Sequence, residues 1–467
     1  MYKIKLIITQ IIFVVLYLSI TIAQPTVISG VAYNAMGKKI HLVTYEDYIS
    51  NNLLELSSTV IDTAGKFTME VPLSSTCYAS IQIDEYVADI YLKPHKKIII
   101  NIAPEQYDEG VAYLFQPKLL NITFSEIPPD DINLLIYEFN LIYDNFIHDN
   151  FKKIYYKRNF NIVDSFNLCI SNKYNNINDN YFLDYVKYKM ANFELITRRK
   201  SKSDIIKTYF DPENIKYNNA AYMEFFNTFF DGYFNDIAGK IDEVELVSAV
   251  NKQKSYIALF NALGKDSLLK NERLRELVML VTLRNMYYTQ GYDRKAVENI
   301  LHELSEISKF KQHKTIALNL IKKIDKFKKG SPAPYFKLKD KNEQFVSLND
   351  FKGKYIYLTF WNTQCVDCEA EFELINNVYN KIKAKTEVVS ISTDKHFLTM
   401  QLFLKKKKYL WTFLHFNGDY QLLENYQVKT VPFYILIGPE GEIIDYPAKS
   451  PIYNLENYLN KNISTKN

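Results

Sequence analysis

The chain has 467 residues, of which 47% are hydrophobic and 24% charged. That length excludes a single ordinary domain, and that composition excludes a disordered chain, so about two to four globular units are expected. A net charge of +4, from 57 basic and 53 acidic residues, gives no basis for nucleic-acid binding. The 37 tyrosines and 30 phenylalanines read as compositional bias rather than chemistry.

The first residues predict an export signal. Lys3 and Lys5 form a short positive region, Leu6 to Ile22 is mostly apolar, and Thr21-Ile22-Ala23 ends in a small residue. Cleavage after Ala23 is expected, so residues 1–23 read as a signal peptide. An uncleaved N-terminal anchor is the alternative. No cysteine lies near the cleavage point, which argues against a bacterial lipoprotein anchor. No later segment has about 18 consecutive apolar residues, so no other span is expected.

Residues 25–120 predict a small β-sandwich. Short strand patterns run over Val27 to Tyr33, His41 to Tyr45, Phe67 to Val71, Cys77 to Ile83, Ile90 to Leu92 and Ile98 to Ile102. Asp62-Thr63-Ala64-Gly65-Lys66 and Pro94-His95-Lys96-Lys97 are turn signals between them. Strands this short and evenly spaced suggest antiparallel pairing. Cys77 falls in a strand and reads as a buried free thiol.

Residues 127–328 predict a helical domain. Pro128-Pro129 before Asp130-Asp131 is a helix start. Leu274, Leu277, Val278 and Val281 share one face, Gly291 stops that helix, and Asp293 caps the next, which carries Val297, Ile300, Leu301, Leu304 and Ile307. Ile316, Leu320, Ile324 and Phe327 form another. No fixed-period repeat and no catalytic motif stands out. Cys169 is expected to be buried for structural reasons, and a Cys77–Cys169 disulfide is left open.

Lys328 to Pro334 is a linker by composition, and residues 331–467 predict an α/β domain. Tyr335 to Leu348 reads as a hairpin, Thr386 to Ser392 as a central strand, Tyr434 to Ile444 as a second hairpin, and Leu455 to Leu459 as a closing helix. The run Lys405-Lys406-Lys407-Lys408 reads as a solvated helix face. Strands and helices in that order build a mixed sheet with helices on both faces.

The chemistry concentrates in Tyr355 to Cys368. A β-prone run ends in Phe360-Trp361, and Cys365-Val366-Asp367-Cys368 follows. Phe372, Ile375, Val378, Tyr379 and Ile382 then recur at helical spacing. A cysteine at a helix N-terminus faces unpaired N–H groups that favour its thiolate. The second cysteine lies one turn along, within reach of a disulfide. With only four cysteines and no paired histidines, the other half of a zinc site is missing, so redox use is favoured. No cofactor is called for.

The pieces Gly330-Ser331-Pro332-Ala333-Pro334, Phe360-Trp361-x-x-x-Cys365-x-x-Cys368, Glu371-Phe372, and Tyr426-x-Val428-x-x-Val431-Pro432 occur in this order. Residues 331 to about 460 thereby resemble the thioredoxin-like domains of TlpA and ResA type, which are extracytoplasmic thiol–disulfide oxidoreductases. Ile28-Ser29-Gly30, Asp62-x-x-Gly65-Lys66-Phe67 and Leu92-Lys93-Pro94 resemble the β-domain that precedes such domains in exported Bacteroidetes proteins. The resemblance implies an attacking Cys365, a resolving Cys368 and a redox disulfide between them. It implies a proton-moving Glu371, a Trp361 packed beside the disulfide, and a cis-Pro432 that aims the Val431 backbone at a substrate peptide. Trp361, Val431 and Pro432 are accordingly the expected substrate-binding residues.

This sequence also departs from the family pattern. Val366-Asp367 separates the cysteines, Gln364 precedes the first, and Thr359 stands where thioredoxin has a buried aspartate. Asp367, Glu369 and Glu371 oppose ionisation of Cys365, so a reductase or exchange protein is expected rather than a strong oxidant. The expected partners are disulfide-bearing exported proteins and a membrane or periplasmic thiol donor, with peripheral envelope association and no nucleic acid. The expected location is the periplasm or cell envelope. Two other functions compete. One is an envelope binding or assembly protein with a secondary redox domain. The other is a thiol peroxidase, against which Leu358 and Asn362 stand where such enzymes want Pro and Thr.

Overall fold

A computed structural model describes residues 24–84, 86–104, 118–125, 127–231, 243–289 and 291–463. The expected signal peptide lies outside these residues. Among the described residues no helix is long and apolar enough to cross a membrane.

The N-terminal region is β-rich. Its strands are β1 (Thr26–Val31), β2 (Lys39–Tyr45), β3 (Leu53–Val60), β4 (Lys66–Val71), β5 (Cys77–Ile83), β6 (Tyr86–Leu92), β7 (Lys97–Pro104) and β8 (Lys118–Ser125). They form one sheet in the order β3-β2-β5-β6-β8-β7-β1-β4. Strict alternation along β4 buries Phe67, Met69 and Val71 and exposes the residues between them. Those side chains join Ile28, Leu42, Ile81, Ile90 and Ile100 in one core. The pairing is mixed rather than purely antiparallel, because β1 runs parallel to β7 and β6 parallel to β8. Gly30 permits the first of these contacts, since a Cβ there would lie 1.8 Å from the Ile100 carbonyl oxygen. The Asp62–Lys66 turn is held by the Asp62 carboxylate, which accepts from the Ala64 and Lys66 amides.

The middle region is helical. Asp131 caps the helix Ile132–Phe151, and Asp293 caps Arg294–Ile307 by accepting from the Lys295 and Ala296 amides. The helix Glu272–Tyr288 departs from the one-faced pattern expected of it. Residues 276–283 are all buried, so this helix is wrapped on every side by its neighbours. The helical core continues into Ile49 and Tyr91 of the β region. Asn133 fastens that junction, accepting from the Tyr91 amide at 2.7 Å and donating to the Tyr91 carbonyl at 2.9 Å.

The C-terminal region is a thioredoxin-like α/β unit. Its strands are β9 (Lys337–Asp340), β10 (Phe345–Ser347), β11 (Tyr355–Trp361), β12 (Thr386–Ser392), β13 (Thr412–His415), β14 (Phe433–Ile437) and β15 (Ile443–Asp445). The order is β10-β9-β13-β12-β11-β14-β15. β11 is central, parallel to β12 and antiparallel to β14. Both of its faces are buried: Ile356, Leu358 and Phe360 enter one core, and Tyr355, Tyr357 and Trp361 the other. The four-residue β13 and the helix Tyr420–Asn425 were not expected from the sequence. The linker is itself paired, with the Gly330 amide donating to Ile443 O, the Ile443 amide to Ser331 O, and the Ala333 amide to Gly441 O.

Candidate active site

The central strand ends at Trp361, and the chain turns through Asn362, Thr363 and Gln364 before the helix Val366–Ile382 begins. The turn is held from within: the Cys365 amide donates to Asn362 O at 3.2 Å, and the Gln364 amide donates to Asn362 Oδ1 at 3.0 Å. Cys365 is the helix N-cap, and its sulfur accepts from the Cys368 amide at 3.1 Å. The same N–H would stabilise a thiolate at Cys365 once the pair is reduced.

Cys365 and Cys368 form a disulfide with an S–S distance of 2.00 Å and a Cα–Cα separation of 5.2 Å. The two sulfurs have different surroundings. Cys368 is fully buried on Phe372 and Ile375, whereas Cys365 is half-buried. Its neighbour Val366 is 82% exposed, and Gln364 and Asp367 are also exposed. An incoming thiol or disulfide therefore meets Cys365 first.

The antiparallel register between β11 and β14 pairs Phe360 with Phe433, which brings the preceding Val431-Pro432 level with the start of the cysteine turn. The Val431–Pro432 bond is cis, and both residues are half-buried. Val431 packs against the core that contains Cys368. Trp361 is placed differently from the expectation of a substrate contact. It is 1% exposed, and its ring lies edge-on to Phe372 at 5.0 Å and against Phe403 and Phe413. A side chain enclosed in this way supports the dithiol from the core side and offers no surface to a substrate.

Glu371 lies one turn beyond Cys368 and is half-buried. Its Oε2 accepts from the Tyr434 hydroxyl and, at 2.8 Å, from the Ser450 hydroxyl. Burial and then this carboxylate push the Tyr434 phenol far above its ordinary range, so it remains a donor at neutral pH. Glu369, in the first helical turn, pairs with Lys407 at 2.5 Å. The lysine run is thus not wholly a solvated face. Lys407 follows the end of its helix and offsets part of the negative charge beside the dithiol.

A residue not anticipated from the sequence anchors the turn. Asp394, just past the end of β12, is 4% exposed. Its Oδ1 accepts from the Thr363 amide at 3.1 Å and hydroxyl at 2.8 Å, and its Oδ2 from the Ser392 hydroxyl at 2.7 Å. Its carbonyl oxygen is 2.7 Å from His415 Nε2. The available signal was Ser392-Thr393-Asp394 at the carboxyl end of a strand parallel to β11, where open α/β sheets gather their functional loops.

The remaining cysteines lie elsewhere and are free, so the Cys77–Cys169 disulfide left open is not formed. Burial pushes the partly buried Cys77 thiol up to about 11, which leaves it protonated and unreactive. Cys169 is exposed, contrary to expectation, because the buried stripe of its helix runs through Val163, Phe166 and Ile170 and bypasses it.

Comparison with known proteins places the similarity on this region. The AhpC/TSA family matches residues 329–446. The thiol-disulfide oxidoreductase ResA of Bacillus subtilis is 34% identical over 116 residues, which cover 25% of this chain and 64% of that protein. ResA of Bacillus cereus is 30% identical over 149 residues, covering 32% of this chain and 86% of the relative. The crystal structure of the thioredoxin domain of a thiol-disulfide oxidoreductase from Bacteroides vulgatus is 33% identical. It covers 25% of this chain and 85% of its own, with a TM-score of 0.24.

Proposed function

Because the chain belongs to the ResA family of thiol–disulfide oxidoreductases through its C-terminal region, we propose that it is exported and reduces or exchanges disulfides of envelope proteins through Cys365 and Cys368. The observation that carries this reading is the unequal exposure of the two bonded sulfurs at a helix N-terminus. In the reduced protein the Cys365 thiolate attacks one sulfur of the substrate disulfide. A mixed disulfide forms, and the other substrate sulfur leaves as a thiolate that takes up a proton. Cys368 then loses its proton, attacks the Cys365 sulfur and releases the second substrate thiol. The substrate gains two electrons and two protons, and the protein ends with the Cys365–Cys368 disulfide. A membrane or periplasmic dithiol restores the reduced form.

Glu371 is assigned the proton transfer to and from Cys368, since it lies one turn along and is fixed by Tyr434 and Ser450. The Val431 backbone beside cis-Pro432 is assigned the extended pairing with the substrate chain. Export rests on Lys3, Lys5, the apolar Leu6 to Ile22 and the small Ala23, and gives the periplasm or envelope as the location. The carboxylate of Asp367 between the cysteines, with that of Glu369 partly offset by Lys407, favours a reductase over a strong oxidant.

A thiol-trapping redox titration, read by peptide mapping beside Cys365→Ser, tests this reading. A two-electron transition confined to the pair, near or below about −200 mV, is expected. Cys368→Ser should then trap mixed disulfides with exported proteins. A potential above about −150 mV would remove the reductase assignment. Peroxide consumption by the reduced protein, with no disulfide reduction, would move the assignment to a peroxidase.

A further inference from the structure

Three helices of the middle region meet at one end of their bundle. The chain leaves Ile132–Phe151 there, makes a short π-turn over Lys152–Tyr156, enters Phe160–Lys173, and returns to the same end at the close of Asn180–Thr197. The Asn159 amide donates to Lys153 O at 2.9 Å, which folds the connection back on itself. The Arg199 guanidinium lies 5.2 Å over the Phe160 ring, which joins the third helix to the first two.

This end has an unusual composition. Residues 151–160 and 197–200 carry Lys152, Lys153, Lys157, Arg158, Arg198, Arg199 and Lys200, and no acidic residue. Arg199 pairs with Asp164 and Lys200 with Glu194. The other five cations have no ion-pair partner among the described residues. Between them stand four exposed aromatic rings: Phe151 at 45%, Tyr155 at 41%, Tyr156 at 77% and Phe160 at 46%. Only Ile154 of the π-turn is buried, so the rings face outward with the charges.

We infer that this basic, aromatic end of the helical bundle docks on an anionic lipid surface. Tyrosine and phenylalanine rings partition to the boundary between headgroups and acyl chains, and lysine and arginine are attracted to anionic headgroups. The two kinds of residue alternate here at one end of the bundle, exposed together, which is the arrangement a negatively charged interface accepts. Single-stranded nucleic acid needs ring faces free for stacking. At this end Phe151 stacks on Tyr155 at 4.5 Å and meets Tyr156 at 6.0 Å, so these rings cover one another. The site lies in the helical region, outside the dithiol unit, and its assignment does not rest on the dithiol reading.

The test is vesicle co-flotation with the protein beginning at Gln24, which removes the apolar N-terminal stretch. Vesicles of phosphatidylcholine alone are compared with vesicles containing about one-third phosphatidylglycerol, at about 0.05 M and about 0.5 M salt. Binding to the anionic vesicles at low salt is expected, with loss at high salt and none on phosphatidylcholine alone. Each basic residue near such a surface contributes about fivefold to partitioning. Reversal of Lys152, Lys153, Lys157 and Arg158 to Glu should therefore weaken binding by at least about 100-fold. Tyr156→Ser should weaken binding to the anionic vesicles a few-fold at low salt. Should the fourfold variant fail to fold, Lys157→Glu with Arg158→Glu changes only the exposed connection and should still weaken binding by at least about tenfold. Circular dichroism and disulfide-reducing turnover should be unchanged in each variant. Absence of binding, equal binding to both vesicle types, no effect of charge reversal, or tighter binding to a single-stranded oligonucleotide than to the vesicles would each overturn the assignment.

Discussion

Replacing Asp394 tests how the turn before the dithiol is held. Its carboxylate accepts three hydrogen bonds, from the Thr363 amide, the Thr363 hydroxyl and the Ser392 hydroxyl. Hydrogen bonds to a charged acceptor contribute about 1.5–3 kcal/mol each, and bonds sharing one acceptor do not add fully. Asp394→Ala also leaves the hydroxyl of the fully buried Ser392 without its acceptor, though it still accepts from the residue-394 amide. A loss of about 3–5 kcal/mol is expected. Asp394→Asn keeps one carbonyl oxygen for Thr363, and its amide can donate to Ser392, so it should cost only about 1 kcal/mol. The only two tryptophans, Trp361 and Trp411, both lie in the core beside the dithiol helix, so their fluorescence reports on this region alone. Urea unfolding followed by that signal should show the alanine midpoint lowered by about 1–2 M, with the asparagine midpoint close to the parent. Equal midpoints for the two variants, or an alanine variant within about 0.5 kcal/mol of the parent, would refute the anchoring role.

Further outcomes follow from the packing and charges of the other regions. Gly30→Ala places a methyl 1.8 Å from the Ile100 carbonyl oxygen and should cost at least about 1–3 kcal/mol in thermal unfolding; an unchanged midpoint would show that β1 and β7 can separate freely. Burial raises the pKa of Glu276, but hydrogen bonds from His313, Ser308 and Tyr256 outweigh it and hold the group below its ordinary 4.5. A lowered folded pKa gives stability that is present above the unfolded value and lost as pH falls through the folded one. The stability gap between the parent and Glu276→Gln should therefore close below about pH 4.5, as denaturant midpoints between pH 7 and pH 3 would show. Burial, then the charges of Lys429 and Arg284, push Lys323 down to about 8. Its contribution to stability is present above its unfolded value and is lost as pH falls through 8, so at pH 7 the buried charge is a net cost. Allowing for the lost bond from its ammonium to Ser50 O, Lys323→Met should stabilise the protein by about 1–2 kcal/mol at pH 7. Destabilisation there would overturn the account.

What the sequence made legible was local. The strand Tyr355–Trp361, the turn, the cysteine pair and the helix are contiguous, so hydrophobic period and cysteine spacing were enough to read them. Asp131 and Asp293 announced their helices because a cap acts within two or three residues. The partners that shape the site come from far along the chain. Asp394, Tyr434, Ser450 and Lys407 approach it only after the strands have paired, and no spacing rule links them to Cys365. The same reason hid the parallel contact of β1 with β7, which depends on a close approach at Gly30 rather than on a strand pattern. Trp361 was expected both packed beside the disulfide and as a substrate contact, and only the fold, which sets its ring against Phe372, Phe403 and Phe413, separates the two.

The pairing of the linker with β15 bears on how the dithiol is carried. Ser331 and Ile443 exchange a backbone bond, and Arg294 of the helical region meets Asp445 at 2.8 Å. The Asp445 carboxylate also accepts from the Tyr458 hydroxyl at 2.8 Å. A connection of this composition, left unpaired, would give the C-terminal unit a wide radius of wandering. Clamped along a strand edge, it has almost no slack, and the chain acts as a bracket rather than as beads on a string. Cys365 is then presented at a fixed height and bearing from the helical bundle. Whatever the bundle rests on also determines which substrate disulfides lie within range.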